Sequence, residues 1–468
     1  METTFIYPHE RQTKSLDVRV PAWISSIEDI ASKQSLEADR FRVLLHQFFL
    51  CYLKNSKFRR SKAGKNFLPD FFPVSSVLLR QTCTDNYIRY INALIEEGVI
   101  EKRMNENGTP SYLSGGHAQL YRWLIPNTFD SGCSFRKESI TGWKQIKSVL
   151  RTRDQYAKAC SDAAIKFSKN NSVYTELLSC LNDVVLAKDF LEESESFHVT
   201  GDIRFLECEA WANHDFAWFT IDDFGRRLHH PIATMPKEYR KHLRFKEHPD
   251  LELSVLDIRN SQPYFSSVIS NECLIQSHLP EFMPLIKHIV VFENEPDFLL
   301  YRKLCIEGRF YEFLMQGMGL NPKDESARKK IKELFFASVL FSRTRVTGEN
   351  SRFRESFRKQ FPSAHAMFQM IKQMDEIVLP ELTDVIKQPN KKFRYEKSND
   401  AYKLVSCMMQ RAESAMMYRE IAPNLIAAGI KFVTVHDSFL LLPDDVERTR
   451  SIITDSFERL DLPVPLLM

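Results

Sequence analysis

The chain has 468 residues, 43% hydrophobic and 27% charged, the composition of a soluble globular protein with room for about two to four domains. Its nine cysteines are an odd number and scattered, with no Cys-x-x-Cys pair, which suggests neither a disulfide framework nor a zinc knuckle and makes a reducing cytoplasm the expected compartment. A formal net charge of +3 is too small for bulk attraction to nucleic acid, so any such surface has to come from local clusters.

The N-terminus lacks the charged and apolar regions of a signal peptide, and no run of ~18 apolar residues occurs, so membrane insertion is not expected. Thirty-five Phe against fourteen Gly point to aromatic cores and few glycine loops.

Residues 16–60 read as helical, with Phe41, Leu44, Leu45, Phe48, Phe49 and Tyr52 at three- and four-residue spacing. Lys54 to Lys65 then holds six basic residues, Arg59 and Arg60 among them, and no acid. Such a run serves equally as a solvated loop or as a phosphate contact. From Thr84 to Pro126 the pattern is more shaped. Asp85 can cap a helix bearing Tyr87, Ile88, Ile91, Leu94 and Ile95, Gly98 ends it, and a strand from Val99 turns at Asn105–Gly108 toward Gln119–Leu124. A helix followed by such a β-wing resembles a winged-helix module, a topology that serves both DNA binding and packing.

Residues 147–197 are helical and charged, and Trp211 and Trp218 read as core. Asp223-Phe-Gly-Arg-Arg-Leu-His-His230 opens a turn through Gly225 and presents Arg226 and Arg227, whose guanidinium forks suit phosphate.

The strand-like run Leu251–Leu256 delivers Asp257 where the apolar alternation stops. Near the end, Lys431–Pro443 reads as a buried β-hairpin with His436-Asp437-Ser438 at its tip. An aspartate between strands often bonds its own turn backbone. Two aspartates on adjacent strands can instead hold two divalent ions ~3.5–4 Å apart, the arrangement that clamps both oxygens in phosphoryl transfer, and Mg2+ suits carboxylates combined with phosphates.

Between the aspartates, Ser326–Arg343 is helix-forming, with Arg328, Lys332, Phe336 and Leu340 four residues apart and hence on one face. Cations for phosphates followed by a ring for a base suit a nucleoside triphosphate. Lys391–Lys397 interleaves Lys392 and Arg394 with two aromatics, a composition shared by solvated surfaces and nucleic-acid paths.

These stretches resemble, in order, the motifs of the polymerase I-like superfamily, which joins family A DNA polymerases and phage-type single-subunit RNA polymerases. Asp257-Ile-Arg-Asn-Ser-Gln-Pro-Tyr-Phe-Ser is similar to its motif A, the cationic helix to motif B, and Val-His-Asp-Ser-Phe to motif C. The resemblance spans roughly Asp223 to the C-terminus. It implies that Gly225, Arg226 and Arg227 contact primer and template, that Gln410 lies near the primer terminus, and that the last residues form the closing strand of a palm. Arg328 and Lys332 would hold the triphosphate, and His436 would orient the primer end. The Tyr-Gly pair that closes motif B in the family falls here on Leu340-Phe341.

The expected fold is therefore α+β and right-hand-like. Residues 1–130 form a helical domain with the winged-helix-like module and 131–215 a thumb-like helical region; 216–270 and 401–468 build the palm around fingers at 271–400. The expected activity is template-directed nucleotidyl transfer by a minimal DNA polymerase without proofreading, acting on a primer-template with nucleoside triphosphates. Two Mg2+ ions would be held by Asp257 and Asp437, with Asp257, Asp437, His436 and Lys332 as the catalytic set.

A primase or single-subunit RNA polymerase is the alternative within the class, and an idle palm acting as a DNA-binding adaptor the alternative outside it. The sugar gate falls five positions after Asp257, on Gln262, or on Tyr264 if the alignment slides; both are large enough to exclude a 2′-hydroxyl.

Overall fold

The computed structural model describes residues 14–61, 71–83, 86–105, 107–109, 118–125, 135–169, 172–188, 190, 203–215, 217–342, 346–373 and 400–468; for 55–61, 203, 400 and 401 it describes the backbone alone. The chain divides into two units, one of residues 1–162, 185–218 and 234–244, the other of 163–184, 219–233 and 245–468.

In the first unit, β1 (Leu16–Pro21) pairs antiparallel with β5 (Phe135–Ile140). The expected helix at residue 16 thus begins later, as α1 (Ile27–Lys33) and α2 (Ala38–Ser61). The alternation of Val18 and Val20 with Asp17 and Arg19 decided for strand, though Arg19 is itself buried, ion-paired to Glu209 beneath the sheet.

Next come β2 (Phe72–Ser75), α3 (Ser76–Cys83), α4 (Tyr87–Glu96), β3 (Ile100–Lys102) and β4 (Ala118–Trp123), with strand order β2-β4-β3, all antiparallel. Asp85 lies outside the described residues; Asn86 precedes α4 and makes no side-chain cap bond. Gly98, at φ +65°, takes the left-handed conformation that ends α4, and Val99 N–H then reaches the carbonyl of Leu94 at 2.8 Å. An aromatic core of Phe48, Phe72, Tyr121, Trp123 and Phe135, with ring centroids 5.2–5.9 Å apart, joins the helices to both sheets.

The second unit is organised on a small antiparallel sheet, β8-β10-β9, made of β8 (Ser254–Asp257), β9 (Phe432–Val435) and β10 (Ser438–Leu441). Its chain-order predecessors are β6 (Thr220–Ile221) and β7 (Leu228–His229), a two-stranded hairpin. The last residues run along β8: Asp257 and Met468 exchange both backbone hydrogen bonds, at 2.8 and 2.9 Å.

Helices cover the sheet and build the rest: α5 (Ser261–Val268), α6 (Pro296–Ile306), α7 (Phe310–Gly317), α8 (Glu325–Phe335), α9 (Gly348–Gln360), α10 (Pro362–Gln373), α11 (Leu404–Ala415) and α12 (Val446–Arg459). Tyr301, Phe310, Phe335, Phe357 and Phe361 interlock with centroids 4.8–5.5 Å apart, so the phenylalanine excess is spent on fixing α6, α7, α8 and α9 to one another.

Candidate functional site

The hairpin tip is the two-residue turn His436-Asp437, closed by the pairing of Val435 with Ser438. His436 sits at φ +56°, a strained conformation for a non-glycine residue. Ser438 buries its hydroxyl against the carbonyl of Val435 at 2.9 Å, which holds the turn tight. Asp257 lies opposite Ser438 across the ladder, and the amide of Ile258 donates to the carbonyl of Asp437 at 3.3 Å. The two aspartates thus stand at the same end of neighbouring strands.

Burial pushes the Asp437 carboxyl above the usual carboxylate range, opposed by its own turn amide, Arg227, Lys332 and the Ser261 hydroxyl. The own-backbone bond common to turn aspartates is therefore present, but it is not the whole environment.

Glu413, from α11, is the carboxylate that sequence reasoning missed. It is 1% exposed; one oxygen meets Arg227 at 2.7 Å, and the other accepts from Gln262 Nε2 at 2.7 Å and from Ser261 Oγ at 2.9 Å. Burial, with the charge of Asp437 adding to it, drives its carboxyl up to about 7 against the pull of Arg227. The available signal was the single acidic residue in the stretch Leu404–Met417, three residues after Gln410.

The β6–β7 turn is organised by Asp222, which accepts from the amides of Gly225 (2.6 Å) and Arg227 (3.1 Å) and contacts the imidazole of His229 (3.0 Å). Helix α11 grips the same turn: Arg411 donates to the carbonyls of Asp223 and Phe224, and Ser414 to that of Gly225. A Cβ at Gly225 would stand 2.5 Å from Gln410 Oε1 and 3.0 Å from Gln410 Cβ, so the Gln410 side chain would have to shift to admit one. Gly225 and Gln410 are thus brought together. Both arginines of the turn are engaged inside the unit, Arg226 with Glu281 at 2.9 Å and Arg227 with Glu413. His229 and His436 approach edge to face at 6.2 Å, and the imidazole of His230 bonds the carbonyl of Thr434 at 2.9 Å, tying β7 to the hairpin.

Helix α8 starts at Asp324, whose carboxylate caps the amides of Ser326 and Ala327 at 2.9 and 3.1 Å. Its face of Ile331, Leu334 and Phe335 is buried in the aromatic core, which turns Lys332 outward with its ammonium 5.8 Å from the Phe336 ring. Arg328 is half-buried, donating to Glu312 at 3.1 Å and to Asn260 at 2.8 Å, and Glu312 also pairs with Arg259 at 2.9 Å. The cationic helix is thereby bolted to the segment just after Asp257.

The four-residue stripe does not run its full length. Phe336–Leu340 is a π-helix, and its extra residue per turn shows in the bond from Phe341 N–H to the Phe336 carbonyl at 2.8 Å. Leu340 is consequently fully buried, and half-exposed Phe341 stacks on Phe336 at 5.3 Å. The C-terminal end of this turn is held by Lys372, 4% exposed, which donates to the carbonyls of Val339 and Ser342, and by Arg354, which donates to that of Ser338 at 2.7 Å.

Of the two sugar-gate registers, Gln262 is at the site and Tyr264 is not. Tyr264 is fully buried against Phe265 and Phe457, and its hydroxyl donates to the carbonyl of Pro463 at 2.6 Å. It faces the core because α5 turns about 200° between residues 262 and 264. Arg59 and Arg60 fall in the last turns of α2 in the first unit, with side chains outside the described residues; Lys392 and Arg394 lie outside them altogether.

Among the described residues no group of three or more His, Cys, Asp and Glu is placed to hold a metal by itself. A pair of aspartates completed by substrate phosphates is nevertheless the usual seat of Mg2+, and the buried, charge-frustrated carboxyl of Asp437 beside that of Glu413 fits a hard divalent ion. Among the described residues no helix is long and apolar enough to cross a membrane.

No protein-family model and no curated protein matches the sequence. Among solved structures, the POL domain of Pol1 from M. smegmatis, in complex with DNA primer-template and dNTP, aligns at a TM-score of 0.34 and 11% identity. The alignment covers 68% of this chain and 65% of that one, so the chain spans less than two thirds of its length. Similarity at this level establishes neither a family nor a function.

Proposed function

We propose that the protein is a template-directed nucleotidyltransferase, a polymerase I-like DNA polymerase in which β8 and the β9–β10 hairpin are the palm and α8 belongs to the fingers. The observation that carries this reading is the placement of Asp257 and Asp437 at one end of adjacent strands, with Lys332 close enough to act on Asp437. A surface built only to bind has no need to hold one of two neighbouring carboxyls against the cost of burial.

In this reading a primer 3′-hydroxyl oxygen attacks the α-phosphorus, its proton passes to solvent, and the bond to the bridging oxygen breaks as pyrophosphate leaves. Asp257 and Asp437 would hold Mg2+, which lowers the cost of charge on the attacking and departing oxygens. Lys332 neutralises the triphosphate, the Phe336–Phe341 pair offers a stacking face to a base, and His436 lies beside the primer end. Gln262 occupies the position that excludes a 2′-hydroxyl. The β2-α3-α4-β3-β4 segment of the first unit, read as a winged helix, serves as a DNA-binding or packing module.

The test is incubation with a labelled primer-template, Mg2+ and each nucleotide set in turn. Extension with deoxynucleotides is expected. Preference for ribonucleotides at equal concentration replaces the reading with a primase or RNA polymerase, and absence of any extension leaves the DNA-binding adaptor.

A further inference from the structure

Gln262 is half-buried, and an unbranched amide side chain with three rotors excludes a hydroxyl only while something holds it. Glu413 holds it: the Gln262 Nε2 lies 2.7 Å from Glu413 Oε2, 151 residues away in sequence, and the same oxygen takes the hydroxyl of Ser261 at 2.9 Å. The other oxygen of that carboxylate is fixed by Arg227 at 2.7 Å, so the anchor cannot swing without breaking a buried ion pair.

We infer that Glu413 is a positioning residue for sugar selection, holding Gln262 across the space where a 2′-hydroxyl would sit while Arg227, on the β6–β7 turn, holds Glu413. The inference rests on the polymerase reading and adds to it a residue that touches no substrate. One carboxylate thereby links the turn proposed to contact the primer-template with the side chain proposed to sense the sugar. Loosening either end frees the Gln262 amide to rotate away and admits the ribonucleotide.

Glu413→Gln, which keeps volume but loses the charge that binds Arg227, separates this role from a general structural one. Single-nucleotide insertion by the full chain is measured with the deoxy and ribo forms of the same base, for the unmodified protein, Glu413→Gln, Gln262→Ala and the double variant, with thermal unfolding as a check on folding. Each single change is expected to lower the deoxy-to-ribo ratio of kcat/KM by about tenfold, the scale of one lost hydrogen bond. The double variant is expected to fall no further than Gln262→Ala, because both changes remove one coupled device.

A merely structural defect depresses both nucleotides alike and leaves the ratio where it was; that result in Glu413→Gln, or a double variant whose loss is the product of the singles, overturns the inference while the polymerase reading stands. If the unmodified protein extends with neither nucleotide, the reading and the inference fall together.

Discussion

The carbonyl of Asp437 accepts the amide of Ile258 at 3.3 Å, one residue past Asp257. That backbone bond continues the β8–β10 ladder one step past its last pair, Asp257 with Ser438, and the ladder is what brings two aspartates far apart in sequence to one end of adjacent strands.

If the pair holds metal, Asp257→Asn and Asp437→Asn each remove a ligand and no phosphate contact. Extension is expected to disappear in both, while duplex affinity, measured by fluorescence anisotropy, stays close to that of the unmodified protein. Near-normal extension by either variant removes the two-metal assignment.

Lys332 points away from the aromatic core and acts on Asp437 through space. Lys332→Ala should reduce nucleotide use ten- to a hundredfold, the value of a lost charge-assisted hydrogen bond of ~1.5–3 kcal/mol, with much less effect on primer-template binding. Equal loss of DNA affinity would move α8 to the template path.

The π-turn swaps the roles of two neighbours. Phe341→Ala is expected to raise the KM for nucleotide with little loss of stability, whereas Leu340→Ala, at a fully buried position, should cost about 2–5 kcal/mol in urea unfolding. The reverse pattern would place Leu340 on the binding face after all.

Tyr264→Phe removes a buried bond to Pro463 and nothing at the site. A loss of about 1 kcal/mol in stability is expected, with the deoxy-to-ribo ratio unmoved. A shift in that ratio would restore Tyr264 to the nucleotide pocket.

Burial, with Arg354 nearby, depresses Lys372 from its ordinary range to about 7. The unfolded chain keeps that proton until about pH 10.4. Between about pH 7 and 10 the unfolded state therefore binds more protons than the folded one, and stability should rise with pH by up to ~1.4 kcal/mol per unit from this group. Urea unfolding across that range should show the rise in the unmodified protein and a flatter profile in Lys372→Met; identical slopes would mean that Lys372 stays charged in the fold.

Local chemistry was legible in the sequence. The apolar runs on either side of His436-Asp437 dictated a hairpin, the stop of alternation at Leu256 put Asp257 at a strand end, and Gly98 and the Asn105–Gly108 turn mark element ends through bonds spanning only a few residues. The strand Leu16–Pro21 was lost among helical spacings because its alternation, Val18 and Val20 against Asp17 and Arg19, covers only four residues and stands as a strand through its pairing with β5.

What only the tertiary structure decided is which distant groups meet. A π-turn that rotates Phe341 into the place of Leu340 is set by the packing of α9 and α10 and by the hydrogen bonds of Lys372 and Arg354 at its end, not by the periodicity of the helix itself. Glu413 finds its partners Arg227, Ser261 and Gln262 at least 150 residues before it in the chain. Patterning fixes which face of a strand or helix is apolar, since that depends on near neighbours. The charge state and partners of a buried carboxylate depend on what the folded chain brings against it.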